Sequence, residues 1–235
     1  TLSNEVNQLP PMLIQTFDGF FASDELMGDC GGDLLPEVAI GRLPARTPAE
    51  LTAMIAKIKA YESEFGAAWQ NEWTFAADKY DFLAGNFPAS NVRLAAGIDS
   101  PHSVAMQFDL DTTPIGTARA NWMARFNAGS GFMHYTGHGS STKYSSQGFL
   151  STTDVEAMTN ARPAVVVALC CLSGRFEAPG VDSMGEALLQ RAGGGAVAVW
   201  ASSGMSRNGP ATDLAEAVYR DVIEEGSGTL GLSIL

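Results

Sequence analysis

Two runs decide the fold: Gly131-Phe132-Met133-His134-Tyr135-Thr136-Gly137-His138-Gly139-Ser140 and Ala164-Val165-Val166-Val167-Ala168-Leu169-Cys170-Cys171-Leu172-Ser173-Gly174. Both are rich in β-branched or aromatic residues, and neither alternates apolar with polar as a half-exposed strand does. Each therefore reads as a strand buried on both faces, the pattern of a parallel sheet covered by helices. The first run closes on His138 and the second on Cys171, both beside glycine or a tight turn. In open α/β sheets chemistry collects at the carboxyl ends of the strands. A His and a Cys delivered there are candidates for an acid–base residue and a nucleophile.

Working outward, strands and helices alternate. Thr47, Pro48 and Glu50 spell a helix start with a capping box, and Leu51, Met54, Ile55, Ile58 and Tyr61 follow at helical spacing. Residues 72–77 read as a strand ending at Asp78, residues 89–96 as a helix and residues 104–108 as a short strand. Thr113-Pro114 opens a helix with Ile115, Ala118, Trp122 and Phe126 on one face. Thr153 with Glu156, and Ser183 with Glu186, frame two short helices. Gly193–Gly195 turn into a strand over 196–201, and a last helix with Leu214, Val218 and Val222 on its apolar face runs to about Glu225. This order predicts an α/β sandwich with a mostly parallel sheet. Residues 1–40 read as irregular, punctuated by Asp18, Asp24, Glu25, Asp29, Asp33, Glu37 and glycines. A solvated loop is the expectation there, and an oxygen cage for calcium the alternative.

The 235 residues can bury a core as one large or two small domains. A net charge of −12 weighs against nucleic acid or an anionic membrane as partner. No apolar run is long enough to insert across a bilayer. The three cysteines, Cys30, Cys170 and Cys171, match no zinc spacing and form no disulfide framework. Neither a Gly-x-Ser-x-Gly elbow nor a Walker or dinucleotide fingerprint occurs.

Side chains alternate along a strand, so one of Cys170 and Cys171 should join the core while the other stands at the strand end. His138 lies between Gly137 and Gly139, where backbone can approach a ligand closely. His134, inside the strand, is expected to pack, and His102, in a turn, to lie at the surface. Asp78 is either a turn aspartate or a carboxylate that accepts the second ring N–H of His138 and fixes its tautomer.

The segments His134–Ser140 and Cys171-Leu172-Ser173-Gly174-Arg175-Phe176, with Pro36-Glu37-Val38-Ala39-Ile40-Gly41-Arg42-Leu43-Pro44-Ala45-Arg46-Thr47 and the helix after it, resemble the motifs of the gingipain-like cysteine peptidases, peptidase family C25. These are relatives of caspases, legumain and separase. The resemblance runs from about residue 20 to the end of the chain. It implies a caspase-like α/β/α sandwich forming a single catalytic domain over 1–235, with 1–70 a portion of an N-terminal subdomain and 71–235 the catalytic subdomain. Because the family usually carries a further strand and acidic turn before residue 20 and another segment after Leu235, a fragment or processed piece is expected.

The same resemblance implies Cys171 as nucleophile, His138 as acid–base residue and Asp78 as the acidic residue behind the histidine. The backbone N–H groups of Gly139 and Cys171 would form the oxyanion hole. Asn86 falls where arginine-specific members place the acid that holds the substrate's basic side chain, and Asp81 is the nearest substitute. Walls of that pocket should come from Ser202, Ser203, Gly204 and Met205, and from Tyr144. The implied activity is that of a cysteine endopeptidase on polypeptide substrates, with no cofactor in the chemistry and a structural calcium as the one candidate ion. A flanking or pro-segment of the same precursor is the implied partner, and the implied location is secreted or cell-surface. Two readings from other classes stand beside it: a non-catalytic binding or scaffolding domain that kept the fold, and a caspase-like regulatory protease within a larger assembly. The Pro36–Arg46 segment argues against the last.

Overall fold

In a computed structural model, which describes residues 9–225 and 229–234, the chain opens on a hairpin of β1 (Leu13–Thr16) and β2 (Gly19–Ala22). The hairpin departs from the expectation that residues 1–40 are irregular; residues 28–40 carry no helix or strand, and residues 1–8 lie outside the described residues. After α1 (Pro48–Ser63) come β3 (Glu72–Ala77), α2 (Phe87–Ala96), β4 (Ser103–Asp109), α3 (Ile115–Ala128) and β5 (Phe132–Thr136). Three two-residue strands, β6 (Gly139–Ser140), β7 (Lys143–Tyr144) and β8 (Leu150–Ser151), lead into α4 (Thr152–Val155). Then follow β9 (Ala164–Leu169), α5 (Met184–Gln190), β10 (Ala196–Ala201), α6 (Asn208–Arg220) and, beyond a π-helical turn, α7 (Leu230–Ile234).

The central sheet has the order β10-β9-β5-β3-β4, and every pairing in it is parallel. Its inner strands β9, β5 and β3 are covered on both faces, as their apolar runs require, while the edge strand β4 alternates exposed and half-buried residues. Met133 and Tyr135 of β5, with Val166 and Ala168 of β9, pack against Trp122 and Phe126 of α3 and Leu188 of α5. The intervening residues, Phe132 of β5 with Val165 and Val167 of β9, face Leu94 of α2 and Ala215, Val218 and Tyr219 of α6. The period of two thus sorts one strand's side chains into two cores. α1 lies against α5 and β10.

Local signals set most boundaries. Thr47 and Glu50 form the capping box of α1, and Ser183 and Glu186 that of α5. The short α4 is capped by Ser151 and Asp154 rather than framed by Thr153 and Glu156. On α6 the buried face is Thr212, Ala215, Val218 and Tyr219, whereas Leu214 is 52% exposed, so the apolar face expected through Leu214 is rotated. His134 is buried as expected, its Nδ1 2.6 Å from the Tyr219 hydroxyl. His102 is not simply a surface residue, because its Nδ1 accepts the Trp73 indole N–H at 3.1 Å.

Candidate active site

β5 and β9 are neighbours paired Thr136↔Leu169, and the Gly137 N–H donates to the Leu169 carbonyl at 3.2 Å. His138 and Cys171 each lie two residues past that pair, so the sheet register brings them to the same edge. Contact between the two turns is tight. A Cβ placed on Gly139 would stand 2.5 Å from Cys170 Sγ and 2.9 Å from the Cys171 carbonyl oxygen. Only glycine fits there.

The two adjacent cysteines take different environments. Cys170 is buried in the core with its thiol against the Ser173 hydroxyl, and burial pushes that thiol up to about 12. It is inert packing. Cys171 is partly exposed, and its sulfur accepts the Ser206 N–H at 3.3 Å. Leu172 follows at φ 62°, a left-handed conformation unusual for a branched residue. That turn, fixed by the Leu172 N–H donating to the Gly204 carbonyl at 2.9 Å, ends β9 abruptly and brings Cys171 out of the core.

The main chain at His138 is held from three directions. Its N–H donates to Asp78 Oδ2 at 3.2 Å, while its carbonyl accepts the Tyr135 hydroxyl and the Ser145 N–H, both at 2.8 Å. Its ring, with the side chain 41% exposed, packs edge-on to Phe87 and places Nε2 3.1 Å from Asp81 Oδ2.

The structure therefore sets Asp81, and not Asp78, against the His138 ring. Asp78 is buried and does not touch the imidazole. Its oxygens accept the N–H of Lys79 and of His138 and the hydroxyls of Tyr135 and Ser145. It builds the loop that carries the histidine. Asp81 takes the ring, so it is not a free wall of a basic pocket. Its other oxygen accepts the N–H groups of Leu83 and Ala84, and these two amides, with His138 next, hold its carboxyl below the ordinary range.

Two further pocket assignments are corrected. Asn86 is the N-cap of α2, its side-chain oxygen occupied by the Ala89 N–H at 3.1 Å. Tyr144 is fully buried and stacked on Tyr135 at 4.7 Å between ring centroids, so it lines no pocket. Ser202 bonds within its own turn to Gly204, and Ser203 donates to the Ala22 carbonyl of β2 at 2.6 Å. Met205 is 53% exposed. Phe21 of β2 packs on Gly204, so the hairpin backs the loop that bonds Cys171. Periodicity could not show this, because the partners are distant in sequence.

Gly139 pairs with Tyr144 in the small antiparallel sheet, and the Ser145 N–H to His138 carbonyl bond makes this the wide, non-hydrogen-bonded kind of pair. The Gly139 N–H thus lies outside the ladder. Near β2, ligand oxygens of Asp29, Asp33 and Glu37 lie within 4.8 Å of one another, while backbone amides of residues 30–34 donate to Asp29 and Glu37.

A family model for peptidase family C25 matches residues 2–235, and the chain belongs to that family. Lys-gingipain of Porphyromonas gingivalis is 25% identical over 153 residues, a match covering 63% of this chain and 9% of the relative. The fold is shared with the Arg-specific cysteine proteinase gingipain R (TM-score 0.77, 21% identity), over 91% of this chain and 52% of that one. It is shared too with the complex of the Porphyromonas gingivalis RgpB pro- and mature domains (TM-score 0.75, 22% identity, 86% and 50%). This chain spans about half the length of those solved chains and a small part of the curated relatives.

Proposed function

We propose that the protein is a cysteine endopeptidase in which Cys171 attacks the peptide carbonyl and His138, supported by Asp81, handles the proton. The observation that carries this is the arrival of His138 and Cys171 in register at the ends of neighbouring strands, with the Asp81 carboxylate on the ring. A carboxylate at Nε2 favours the tautomer protonated there and leaves Nδ1 to exchange a proton with the reacting groups. The Cys171 thiolate adds to the carbonyl carbon, and the oxyanion accepts the N–H groups of Gly139 and Cys171. Collapse breaks the C–N bond as the imidazolium protonates the leaving amine. Water, losing its proton to His138, then hydrolyses the thioester and restores the thiol. Thiol and imidazole supply nucleophile and acid, so the steps call for no cofactor.

Asp78 enters this reading as a positioning residue. Asp29, Asp33 and Glu37 are the carboxylates to which a structural calcium would be assigned. No helix among the described residues is long and apolar enough to cross a membrane. Secretion or surface display, and restraint by a pro-segment, belong to the same proposal and rest on the family and on the RgpB pro-domain complex.

The test is hydrolysis of a mixed quenched-peptide library by the full-length protein and by Cys171→Ala, with and without calcium. Mapping of iodoacetamide adducts in a Cys30→Ser background accompanies it, because Cys30 is an exposed thiol that would mask the signal. Cleavage abolished in the variant, with Cys171 labelled and Cys170 spared, supports the assignment. A folded full-length protein with no cleavage and an inert Cys171 would sink it and favour a non-catalytic domain.

A further inference from the structure

We propose that the substrate residue before the scissile bond is apolar and uncharged, held between Phe82–Leu83 on one loop and Met205 on another, in contrast to a lysine or arginine. This deepens the peptidase reading and rests on it.

The loop from β3 to α2 leaves its largest apolar side chains in solvent: Phe82 is 85% exposed and Leu83 92%. That exposure is built into the loop. Asp81 and Gly85 bridge each other, and one Asp81 oxygen accepts the N–H groups of Leu83 and Ala84, which closes a tight turn with the two side chains at its tip. Gly85 at φ 146° sits against Asn208, where a Cβ would meet that side chain at 2.7 Å, so the base of the turn is seated on the start of α6. The residue before the tip, Asp81, is the one that meets His138. On the other side, Met205 is exposed, and the next residue, Ser206, donates its N–H to the Cys171 sulfur. Exposed apolar groups thus stand one residue from the groups touching each member of the Cys–His pair.

Charge points the same way. Most carboxylates on the loops around the pair are engaged. Asp78 is buried under four donors, Asp81 is used as described, Asp182 pairs with Arg46 at 2.8 Å, and Glu177 pairs with Arg175 at 2.9 Å through Oε1 while its Oε2 is buried without a hydrogen-bond partner. Asn86, an amide where arginine-specific members place an acid, caps α2. Lys79 is exposed beside Asp78, Lys143 is exposed opposite Ser140 in the small sheet, and no ion pair joins either to a carboxylate among the described residues. A basic substrate side chain would lose hydration and find an unpaired carboxylate oxygen only at the buried Glu177 Oε2, whereas an apolar one would cover surface that water now wets.

The experiment measures kcat/KM for fluorogenic peptides identical except for Phe, Leu, Met, Arg, Lys or Glu before the cut, on the full-length protein and on Phe82→Ser/Leu83→Ser. An advantage of about 10-fold or more for Phe, Leu or Met over Arg and Lys is expected, a range that apolar pockets reach. The double variant should lose most of that advantage while its melting temperature holds, since both side chains are solvated. Best cleavage after Arg or Lys overturns the proposal and leaves the peptidase reading intact. An apolar preference unchanged in the double variant also overturns it. Absence of all cleavage together with an inert Cys171 removes both readings at once.

Discussion

The Arg42 guanidinium lies 4.3 Å above the centroid of the Phe176 ring while its Nε and Nη2 each hold an oxygen of Asp24 at 2.7 Å. Arg42 belongs to the segment ahead of α1 and Phe176 to the loop after Cys171, so one side chain ties distant sequence to the turn that presents the thiol. Arg42→Gln should lower unfolding free energy by about 2 kcal/mol, the scale of losing charge-assisted hydrogen bonds in a part-buried site. Arg42→Lys should recover less than half, because an ammonium cannot make the planar two-point contact. Urea midpoints at unchanged m-value check this.

Asp78 and Asp81 should separate cleanly under mutation. Asp81→Asn removes the charge behind the imidazole at a solvent-facing position. It should lower kcat by about 100-fold with KM and melting temperature little changed, in the range of general acid–base effects. Asp78→Ala strands the Ser145 hydroxyl and the amides of Lys79 and His138 and should cost about 3 kcal/mol of stability. Equal kinetic and stability effects in the two variants would contradict the division of roles.

Lys57 of α1 reaches across to the end of α5, where its Nζ donates to the carbonyls of Leu188, Leu189, Arg191 and Gly194 at 2.6–3.4 Å. A cation there meets the negative end of the helix. Lys57→Met should destabilise by about 2 kcal/mol through unpaired carbonyls. Chemical unfolding would read this directly, and a variant as stable as the parent would show that water replaces the ammonium.

His134 sets an acid limit on stability. Burial pushes its pKa down to about 3, and its Nε2 has no partner. The unfolded chain binds a proton near pH 6.5 that the folded one refuses, so stability is full above that value. It is lost as pH falls below it, at up to about 1.4 kcal/mol per pH unit. His102, also lowered by burial, adds in the same direction. The slope of unfolding free energy between pH 6.5 and 5 should be shallower in His134→Leu than in the parent.

Much of this protein was legible in one dimension. Unbroken apolar runs identified parallel strands, because a strand covered on both faces has no polar side to alternate with. Thr47, Pro48, Glu50, Ser183 and Glu186 marked helix starts, because capping is settled within four residues. His138 and Cys171 stood out for a related reason: both close buried strands beside turn residues. What the sequence could not distinguish was Asp78 from Asp81, three residues apart in one loop. Which carboxylate meets the ring depends on the Asp81–Gly85 bridge and on Gly85 seating against Asn208, more than a hundred residues later. Tyr144 likewise looked like a pocket wall until the small sheet folded it onto Tyr135. Short-range periodicity and capping carry their own energetics along the chain. The direction of a polar side chain in a loop is decided by whichever distant donor arrives beside it, and only the tertiary structure supplies that donor.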